Sequence, residues 1–382
     1  MKIQTTLFLI LGLSLGLKGQ NIHFPEAGSE WETQSPTKAG INTENLRKAV
    51  DFAKANEYSG SRDLRQAILN GFESEPFHSI QGPTRKRGGP AGMIVKNGYL
   101  VTSWGDTQRV DMTFSVTKSF LSTVAGLAVG EGLITSVNDS VAQYVWDGTF
   151  DGAHNSGINW KHLLQQNSDW SGALWGAGDW ADRPPEEGGL DDWRYRKLNA
   201  PGTVFEYNDV RVNVLAYALT QVWRKPLPMV LKEKIMDRIG ASTTWRWLGY
   251  EDAFTVIDGL NMQSVTGGGH SGGGMFMSTA DMARFGMLFL NNGKWREEQL
   301  IAEEWINEVV QPSKPNVNYG YMWWLNKQGP RHWEGVSEDI YYAAGFGGNF
   351  IVIDKAHDLV AVVRWLEPSK MEAFMQLLNK AL

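Results

Sequence analysis

Residues 115–128 have the sequence SVTKSFLSTVAGLA, an S-x-x-K motif followed by an apolar run. The run from Phe120 to Ala128 is typical of a buried helix. Because residues three apart share one face of a helix, the Lys118 amine is expected to reach the Ser115 hydroxyl. Burial and the positive helix N-terminus both disfavour an ammonium, so we expect a neutral lysine that activates the serine as a nucleophile.

Two other serines carry a catalytic pattern. Ser35 begins a second S-x-x-K motif, but it lies in a polar, turn-forming segment with no apolar helix after it. Ser271 is the centre of a G-x-S-x-G sequence, which in α/β-hydrolases lies between a buried strand and a helix. Residues 258–264 do not have the pattern of a buried strand, and the next helix start is at Ser278. A glycine-rich loop is therefore the better interpretation.

The composition narrows the possible functions. The chain has 382 residues, enough for one large or two closely packed domains. It has no cysteine, which excludes disulfides, thiolate nucleophiles and cysteine-ligated zinc. A net charge of −6 gives no basic surface for nucleic acid. Its 17 tryptophans outnumber both the tyrosines and the phenylalanines.

The N-terminal residues 1–19 have the pattern of a secretory signal peptide. Lys2 is followed by an apolar run through Leu17 that is too short to span a bilayer and ends near Gly19. No later segment has the pattern of a membrane span. We therefore expect an exported, soluble mature protein without stable membrane insertion, secreted or periplasmic.

Helix and strand signals recur at both ends of the chain. Asn42 caps a predicted helix, Asn97-Gly98 is a two-residue hairpin turn, and Ser278 begins another helix. Two β-rich runs near residues 350–365 precede a final helix. The predicted fold is α/β (α+β): an antiparallel sheet flanked by N- and C-terminal helices, with an inserted, mostly helical region. We expect a sheet domain of residues 40–112 plus 265–382 and a helical domain of residues 113–264.

Several further segments resemble the serine β-lactamase and penicillin-binding-protein superfamily. They are similar to its class C-type branch, which includes family VIII esterases and 6-aminohexanoate-dimer hydrolases. The segments are Ser115–Phe120, Gly130–Ile134, Trp160–Leu164, Pro201–Tyr207, Gly272–Asp281, Arg284–Gly286, Tyr319–Trp324 and Gly345–Asn349. They occur in the order found in the family, within residues 92–365.

The resemblance implies roles for particular residues. Ser115 corresponds to the family's nucleophile, and Tyr207 to a tyrosine that shares a proton with Lys118 and Ser115. The third family motif has two candidates, His270-Ser271-Gly272 and Ala343-Ala344-Gly345-Phe346. The second is favoured because it lies beside the C-terminal hairpin. Phe346 would then donate its backbone N–H, with that of Ser115, to the oxyanion.

Two departures from the family pattern affect the expected substrate. Asp209 stands where the family has an asparagine that contacts the substrate, and an ionised carboxylate cannot donate that hydrogen bond. The favoured third motif lacks its usual lysine or histidine, the cation that faces substrate carboxylates. Its absence argues against an efficient β-lactamase or D-alanyl-D-alanine carboxypeptidase.

We therefore expect an exported serine hydrolase that cleaves a small-molecule ester or amide through an acyl-enzyme on Ser115. The alternatives are a β-lactamase-like or D-alanyl-D-alanine carboxypeptidase-like penicillin-binding enzyme, with His270 or another cation replacing the missing one, and a binding or sensor module that does not turn over. Trp175 and Trp180 are expected to wall the cleft. No cofactor is required, and the scattered histidines form no metal-binding motif. The sequence does not indicate the oligomeric state.

Overall fold

The computed structural model describes residues 22–28, 31–329 and 332–382, so the predicted signal peptide lies outside the described residues. The helices are α1 (Thr43–Ala55), α2 (Leu64–Gly71), α3 (Thr117–Gly130), α4 (Gly152–Asn155), α5 (Trp160–Leu164), α6 (Leu190–Arg194), α7 (Asp209–Trp223), α8 (Leu227–Leu231), α9 (Thr279–Leu290), α10 (Glu303–Val309) and α11 (Met371–Asn379). None of the helices in this part of the chain combines the length and apolar character needed to cross a bilayer.

The strands are β1 (Ala91–Lys96), β2 (Tyr99–Trp104), β3 (Asp111–Met112), β4 (Ala173–Leu174), β5 (Ala177–Gly178), β6 (Arg246–Leu248), β7 (Phe254–Ile257), β8 (Leu260–Gln263), β9 (Gly274–Met277), β10 (Lys294–Trp295), β11 (Glu298–Gln299), β12 (Trp324–Leu325), β13 (Tyr341–Gly345), β14 (Asn349–Asp354) and β15 (Leu359–Arg364). Six of them form an antiparallel sheet in the order β12-β13-β14-β15-β1-β2. Because both ends of the chain contribute strands to this sheet, the predicted fold class is confirmed.

The hairpin β1–β2 forms where the Asn-Gly signal predicts it. Asn97 has φ 51° and Gly98 has φ 83°, the positive values that a type I′ turn requires. Next to the turn, Lys96 pairs with Tyr99. The short turn pairs β1 with the edge strand β2, and on its other side β1 pairs with β15.

Both faces of the main sheet are buried. Side chains along a strand alternate between the faces, so Ile351 and Ile353 belong to one core while Val352 belongs to another. Helix α9 packs on the first face, and α1 and α11 pack together on the second. Asn42 caps α1 by accepting a hydrogen bond from the Asn45 backbone, as predicted.

Helices α3 and α7 form the centre of the region inserted between β3 and β9. Every residue of α3 from Thr117 to Ala128 is buried, which confirms the prediction of a buried helix, and α3 packs against α7. A second, small sheet of order β3-β9-β6 lies at the start of α3. These elements bring the S-x-x-K segment, the start of α7 and the loop before β9 together. The division into two domains stays a prediction.

Candidate active site

Ser115 lies in a tight turn between β3 and α3. The turn is a single 3₁₀ element, Phe114–Val116, and Ser115 is the partly exposed side chain in an otherwise buried run from Asp111 to Phe120. Phe114 has φ 51°, a left-handed conformation that costs a bulky residue about 1–3 kcal/mol. The Phe114 ring packs 5.1 Å from that of Phe346, and packing of this kind holds the turn in place.

Strand β13 passes directly beside this turn. A side chain at Gly345 would overlap the Thr113 carbonyl, so glycine is required for the strand to approach so closely. Ala344, Gly345 and Phe346 line the same cavity as Ser115. This is the location expected of the third motif, whereas the pairing of the Ser115 and Phe346 N–H groups as an oxyanion hole stays a prediction.

Lys118 reaches Ser115, as the spacing predicts. Its Nζ donates a hydrogen bond of 2.8 Å to Ser115 Oγ, and it lies 2.5 Å from Asp209 Oδ1. The lysine is 1% exposed. Burial alone would lower the Lys118 pKa, but the adjacent Asp209 carboxylate outweighs it and raises the pKa above the usual value. The expectation of a neutral lysine is not supported, because the contact with Asp209 favours the ammonium form of Lys118.

Asp209 is the counter-ion of two cations. Its second oxygen accepts a hydrogen bond of 2.8 Å from Arg183 Nη2, and the residue is 2% exposed. Burial would raise the pKa of this carboxyl, but Lys118, Arg183 and His270 together lower it far below its usual value. Asp209 is absent from the described lining of the cavity. Its expected role as a substrate contact stays a prediction.

Arg183 places a cation in the cavity wall, which sequence reasoning missed. Its side chain is 33% exposed and also contacts Asp182 at 2.5 Å. The guanidinium lies 5.3 Å from the centroid of the Tyr207 ring, and Arg183 lines the cavity together with Ser115. Nothing in the local sequence of this loop shows that Arg183 lines the same cavity as Ser115, because the two residues lie in segments distant in the chain.

The loop that carries Arg183 is tied to the start of α7. Asp182 accepts hydrogen bonds from the backbone N–H groups of Asp209 and Val210, and thereby caps this helix from outside. Deeper in the loop, Asp169 and Asp179 accept bonds of 2.8 and 2.9 Å from the buried Arg211 of α7. These contacts fix the positions of Arg183 and Asp209 relative to Lys118.

The glycine-rich loop before β9 covers the Lys118–Asp209 pair. A side chain at Gly268 would overlap both Asp209 Oδ1 and Lys118 Nζ. The loop continues into β9, and the next helix begins only at Thr279. Ser271 therefore occupies a glycine-rich loop, as expected, and no nucleophile elbow is formed.

Tyr207 borders the cavity next to Lys118. The Lys118 Nζ lies 4.7 Å from the centroid of the Tyr207 ring, so the observed contact is with the ring face. The Tyr207 ring also stacks on that of Trp324, with the ring centroids 5.6 Å apart. The proximity is compatible with proton exchange between the two residues, which stays a prediction.

The cavity beside Ser115 has a volume of about 620 Å³ and a largely aromatic wall. The described lining residues are Phe72, Ser115, Arg183, Tyr207, Trp324, His332, Trp333, Tyr342, Ala344, Gly345, Phe346, Phe350, Pro368, Ser369, Met371 and Glu372. Trp175 and Trp180 do not belong to this set. Trp175 packs on Tyr217 and Tyr250, and Trp180 on Phe77. Among the tryptophans of the described chain, Trp324 and Trp333 line this cavity, and the expected place of Trp175 and Trp180 in the substrate cleft stays a prediction.

His270 also lies outside the described cavity lining. Its Nε2 is 2.6 Å from Glu75 Oε2, and its Nδ1 is 3.2 Å from Arg183 Nη2. Two sets of potential metal ligands share this histidine: Glu75 with His78, and Asp182 with Asp209. The expectation of no metal site rested on local motifs, and these sets join residues that are far apart in the chain.

Comparison with known proteins identifies a family and a fold. A family profile described as Beta-lactamase matches residues 80–365. A curated relative from Escherichia coli O157:H7, described as "Putative D-alanyl-D-alanine carboxypeptidase", is 22% identical over 204 residues, which cover 43% of this chain and 45% of the relative. The chain thus matches less than half the length of that relative.

Solved structures share the fold at low sequence identity. A family VIII carboxylesterase is 16% identical with a TM-score of 0.58, and the match covers 90% of this chain and 99% of that one. A beta-lactamase from Mycobacterium bovis is 19% identical with a TM-score of 0.53, and the match covers 82% and 97%. These likenesses support the same architecture.

Proposed function

The chain belongs to the beta-lactamase family, and from that premise we propose that it is an exported serine hydrolase that cleaves esters or small amides through an acyl-enzyme on Ser115. One observation carries the proposal. The Lys118 ammonium donates a 2.8 Å hydrogen bond to the Ser115 hydroxyl at the wall of a cavity large enough for a small substrate.

The charge of Lys118 determines its part in the reaction. An ammonium that is paired with Asp209 cannot accept the Ser115 proton, but it stabilises the alkoxide that forms when the proton leaves. We assign the acceptor role to the phenolate form of Tyr207, which lies against Lys118, borders the same cavity and becomes a neutral phenol when it takes the Ser115 proton. The proton then passes from Tyr207 to the leaving group. In the second step, Lys118 and Tyr207 together activate the water that releases the acyl group.

The oxygen of the substrate carbonyl that Ser115 attacks needs hydrogen-bond donors, located on the side of Ser115 away from Lys118 and Tyr207. The backbone N–H groups of Ser115 and Phe346 are the proposed pair, because β13 passes directly beside the nucleophile turn. Removing one such donor in a serine hydrolase typically costs about 2.7–4 kcal/mol of transition-state stabilisation. The aromatic wall favours substrates with an apolar or aromatic acyl or leaving group.

The test is a panel of substrates given to the wild type and to Ser115→Ala. The panel contains p-nitrophenyl esters of increasing acyl size, short amides and a β-lactam. We expect ester turnover by the wild type and its loss in the variant. Full ester hydrolysis by Ser115→Ala would contradict the proposal. Fractionation of expressing cells tests export separately, since a wholly cytoplasmic, unprocessed chain would contradict that part.

A second candidate is a penicillin-binding enzyme that acts on carboxylate-bearing substrates. The observation that favours it is Arg183, a partly exposed guanidinium in the cavity wall, which could pair with a substrate carboxylate in place of the missing third-motif cation. Stoichiometric labelling by a fluorescent penicillin, reduced in Arg183→Gln, would support it. No labelling alongside ester turnover would contradict it. A persistent acyl-enzyme without turnover would instead indicate a sensor module.

A further inference from the structure

A cluster of three potential metal ligands lies next to Asp209 and Arg183. Glu75 and His78 belong to the segment after α2, and His270 belongs to the glycine-rich loop before β9. One ligand atom from each lies within 4.8 Å of the other two. Glu75 and His270 are buried and His78 is half-buried. The fold therefore brings two imidazoles and one carboxylate to a single point.

The chemistry of this set is that of a transition-metal site. Two imidazole nitrogens and a carboxylate oxygen are ligands that Zn²⁺ binds with a fourth position left for water. The first-row divalent ions that prefer imidazole bind similar sets. Sites of this kind favour transition-metal ions over calcium and magnesium, because calcium and magnesium prefer oxygen ligands alone.

His78 provides a second, independent observation. Its Nδ1 is buried and has no hydrogen-bond partner among the described residues. Leaving such a nitrogen unpaired costs about 1–3 kcal/mol. The other ring nitrogen, Nε2, lies 3.4 Å from Ser271 Oγ. A cation bound at Nδ1 would supply the partner that the described residues do not.

The Nδ1 side of the His270 ring, away from Glu75, has surroundings typical of a metal-bound histidine. Its Nδ1 lies 3.6 Å from Asp209 Oδ2, while its Nε2 faces Glu75. Metal-bound imidazoles commonly donate their other N–H to a carboxylate, which orients the ring. At 3.6 Å, Asp209 Oδ2 is just beyond hydrogen-bond distance of Nδ1, so a small approach of the ring would let it accept that bond; it is the same carboxylate that pairs with Lys118.

We propose that Glu75, His78 and His270 bind one divalent transition-metal ion, best matched by Zn²⁺, and that this site is linked to the catalytic lysine through His270 and Asp209. When Arg183 donates to Nδ1, the imidazole proton is on Nε2. Binding at Nε2 requires that this proton leave and that Nδ1 carry one instead. Arg183 then loses its acceptor and Asp209 gains a donor. No bond to substrate and no change of oxidation state is involved.

The binding test uses the full chain, freed of metal with a chelator and titrated with zinc chloride in a calorimeter. We expect one ion per chain with a dissociation constant of about micromolar or tighter. His78→Ala should weaken binding by at least about tenfold, and so should the size-matched Glu75→Gln. His357→Ala is the control, because His357 contacts Asp354 outside the cluster. Zinc should also raise the melting temperature of the wild type and not that of His78→Ala.

Two results would overturn the site: no stoichiometric zinc binding by the wild type, or equal affinity in His78→Ala and the wild type. Ser115→Ala should bind zinc as the wild type does, so the site stands or falls independently of the proposed hydrolase. The link to catalysis does rest on that function. It predicts that zinc changes ester turnover by the wild type and leaves turnover by His78→Ala unchanged, whereas equal responses would contradict the link.

Discussion

Asp209 Oδ1 lies 2.5 Å from Lys118 Nζ, and this contact favours the charged form of the buried lysine. The same carboxylate holds Arg183, so one acidic side chain fixes two cations beside Ser115. A buried charge without a partner is strongly destabilising, and the carboxylate therefore contributes both to the fold and to the arrangement of the site.

Removing the Asp209 charge tests this role. Asp209→Asn keeps the side-chain size but leaves the buried Lys118 without its counter-ion. We expect a loss of about 3–5 kcal/mol in the free energy of unfolding, measured by denaturant titration. Asp258→Asn is the matched control. It removes the partner of Arg224 in an exposed ion pair and should change stability little. Equal effects of the two substitutions would contradict the buried-pair account.

Tyr207→Phe tests the proton transfer assigned to the hydroxyl. The ring should keep its packing on Trp324 and Lys118, so KM should change little. The loss of a general acid–base group should lower kcat for ester hydrolysis by on the order of 10²–10⁴-fold. Tyr342→Phe removes a hydroxyl from the same cavity wall without a proposed role in proton transfer. If both variants lose kcat equally, Tyr207 is not the proton acceptor.

For single residues, the sequence predicts the contacts that depend on local spacing. It does not predict contacts with a partner that is distant in the chain. The three-residue separation of Ser115 and Lys118 is sufficient to predict their hydrogen bond. Asp209 is 91 residues from Lys118, and its contact with the lysine follows from the packing of α3 against α7. The sign of the Lys118 pKa shift therefore could not be derived from burial and the helix dipole.

Among the elements, the glycine-rich loop before β9 packs directly on the ion pair of Lys118 and Asp209. Gly268→Ala would place a methyl group against Lys118 and Asp209, so we expect kcat for ester hydrolysis to fall by at least about tenfold. Gly130→Ala is the control, since a side chain at the end of α3 meets open space. Wild-type kcat in the Gly268 variant would show that the loop does not hold the pair in place.

The loop that carries Arg183 is held to α7 partly by the contact of Asp169 with Arg211, and this contact predicts that the stability of the fold depends on pH. Burial would raise the pKa of Asp169, but Arg196, the Asn199 N–H and Arg211 outweigh it and lower the pKa. A carboxyl with a lowered pKa stabilises the fold above its unfolded pKa of about 3.9, and this contribution is lost as the pH falls through the folded value.

Asp169→Asn should therefore lower the melting temperature at neutral pH and flatten its decline in acid. Melting curves of the wild type and the variant, recorded from neutral pH to about pH 3, measure both effects. A parallel decline in the two proteins, with a constant difference in melting temperature, would show that Asp169 does not contribute to the acid sensitivity.

Elements with local signals are predicted well, and the loops between them are not. The Asn97-Gly98 turn and the caps at Asn42 and Ser278 form where the sequence places them, because each depends on a few adjacent residues. The conformation of the loop that carries Trp175 and Trp180 depends on the contacts of Asp169 and Asp179 with α7. No local sequence pattern indicates these contacts. The tryptophans of this loop consequently pack away from the cavity.

Across the whole molecule, the cavity joins parts that are distant in the chain. Trp324 comes from the edge strand of the main sheet, Trp333 from the segment after it, Met371 from the last helix and Arg183 from the inserted region. The sequence predicts the sheet and the order of the motifs. The wall cannot be predicted in the same way, because it exists only where these parts meet.

The aromatic wall should determine substrate size. Trp333→Ala removes a ring that stacks on Tyr342 at 4.2 Å and lines the cavity. We expect KM to rise more for aromatic esters than for acetyl esters, by roughly tenfold in the ratio. Trp175→Ala is the control and should change both values of KM alike. An unchanged ratio in Trp333→Ala would show that the wall does not bind the substrate.

The central claim is that Ser115 becomes acylated during turnover. The direct measurement is intact-mass spectrometry of protein that has been quenched during hydrolysis of a p-nitrophenyl ester, followed by peptide mapping. We expect one added acyl group on the peptide containing Ser115, and none in Ser115→Ala. An acyl group on another residue, or ester turnover by Ser115→Ala at the wild-type rate, would contradict it.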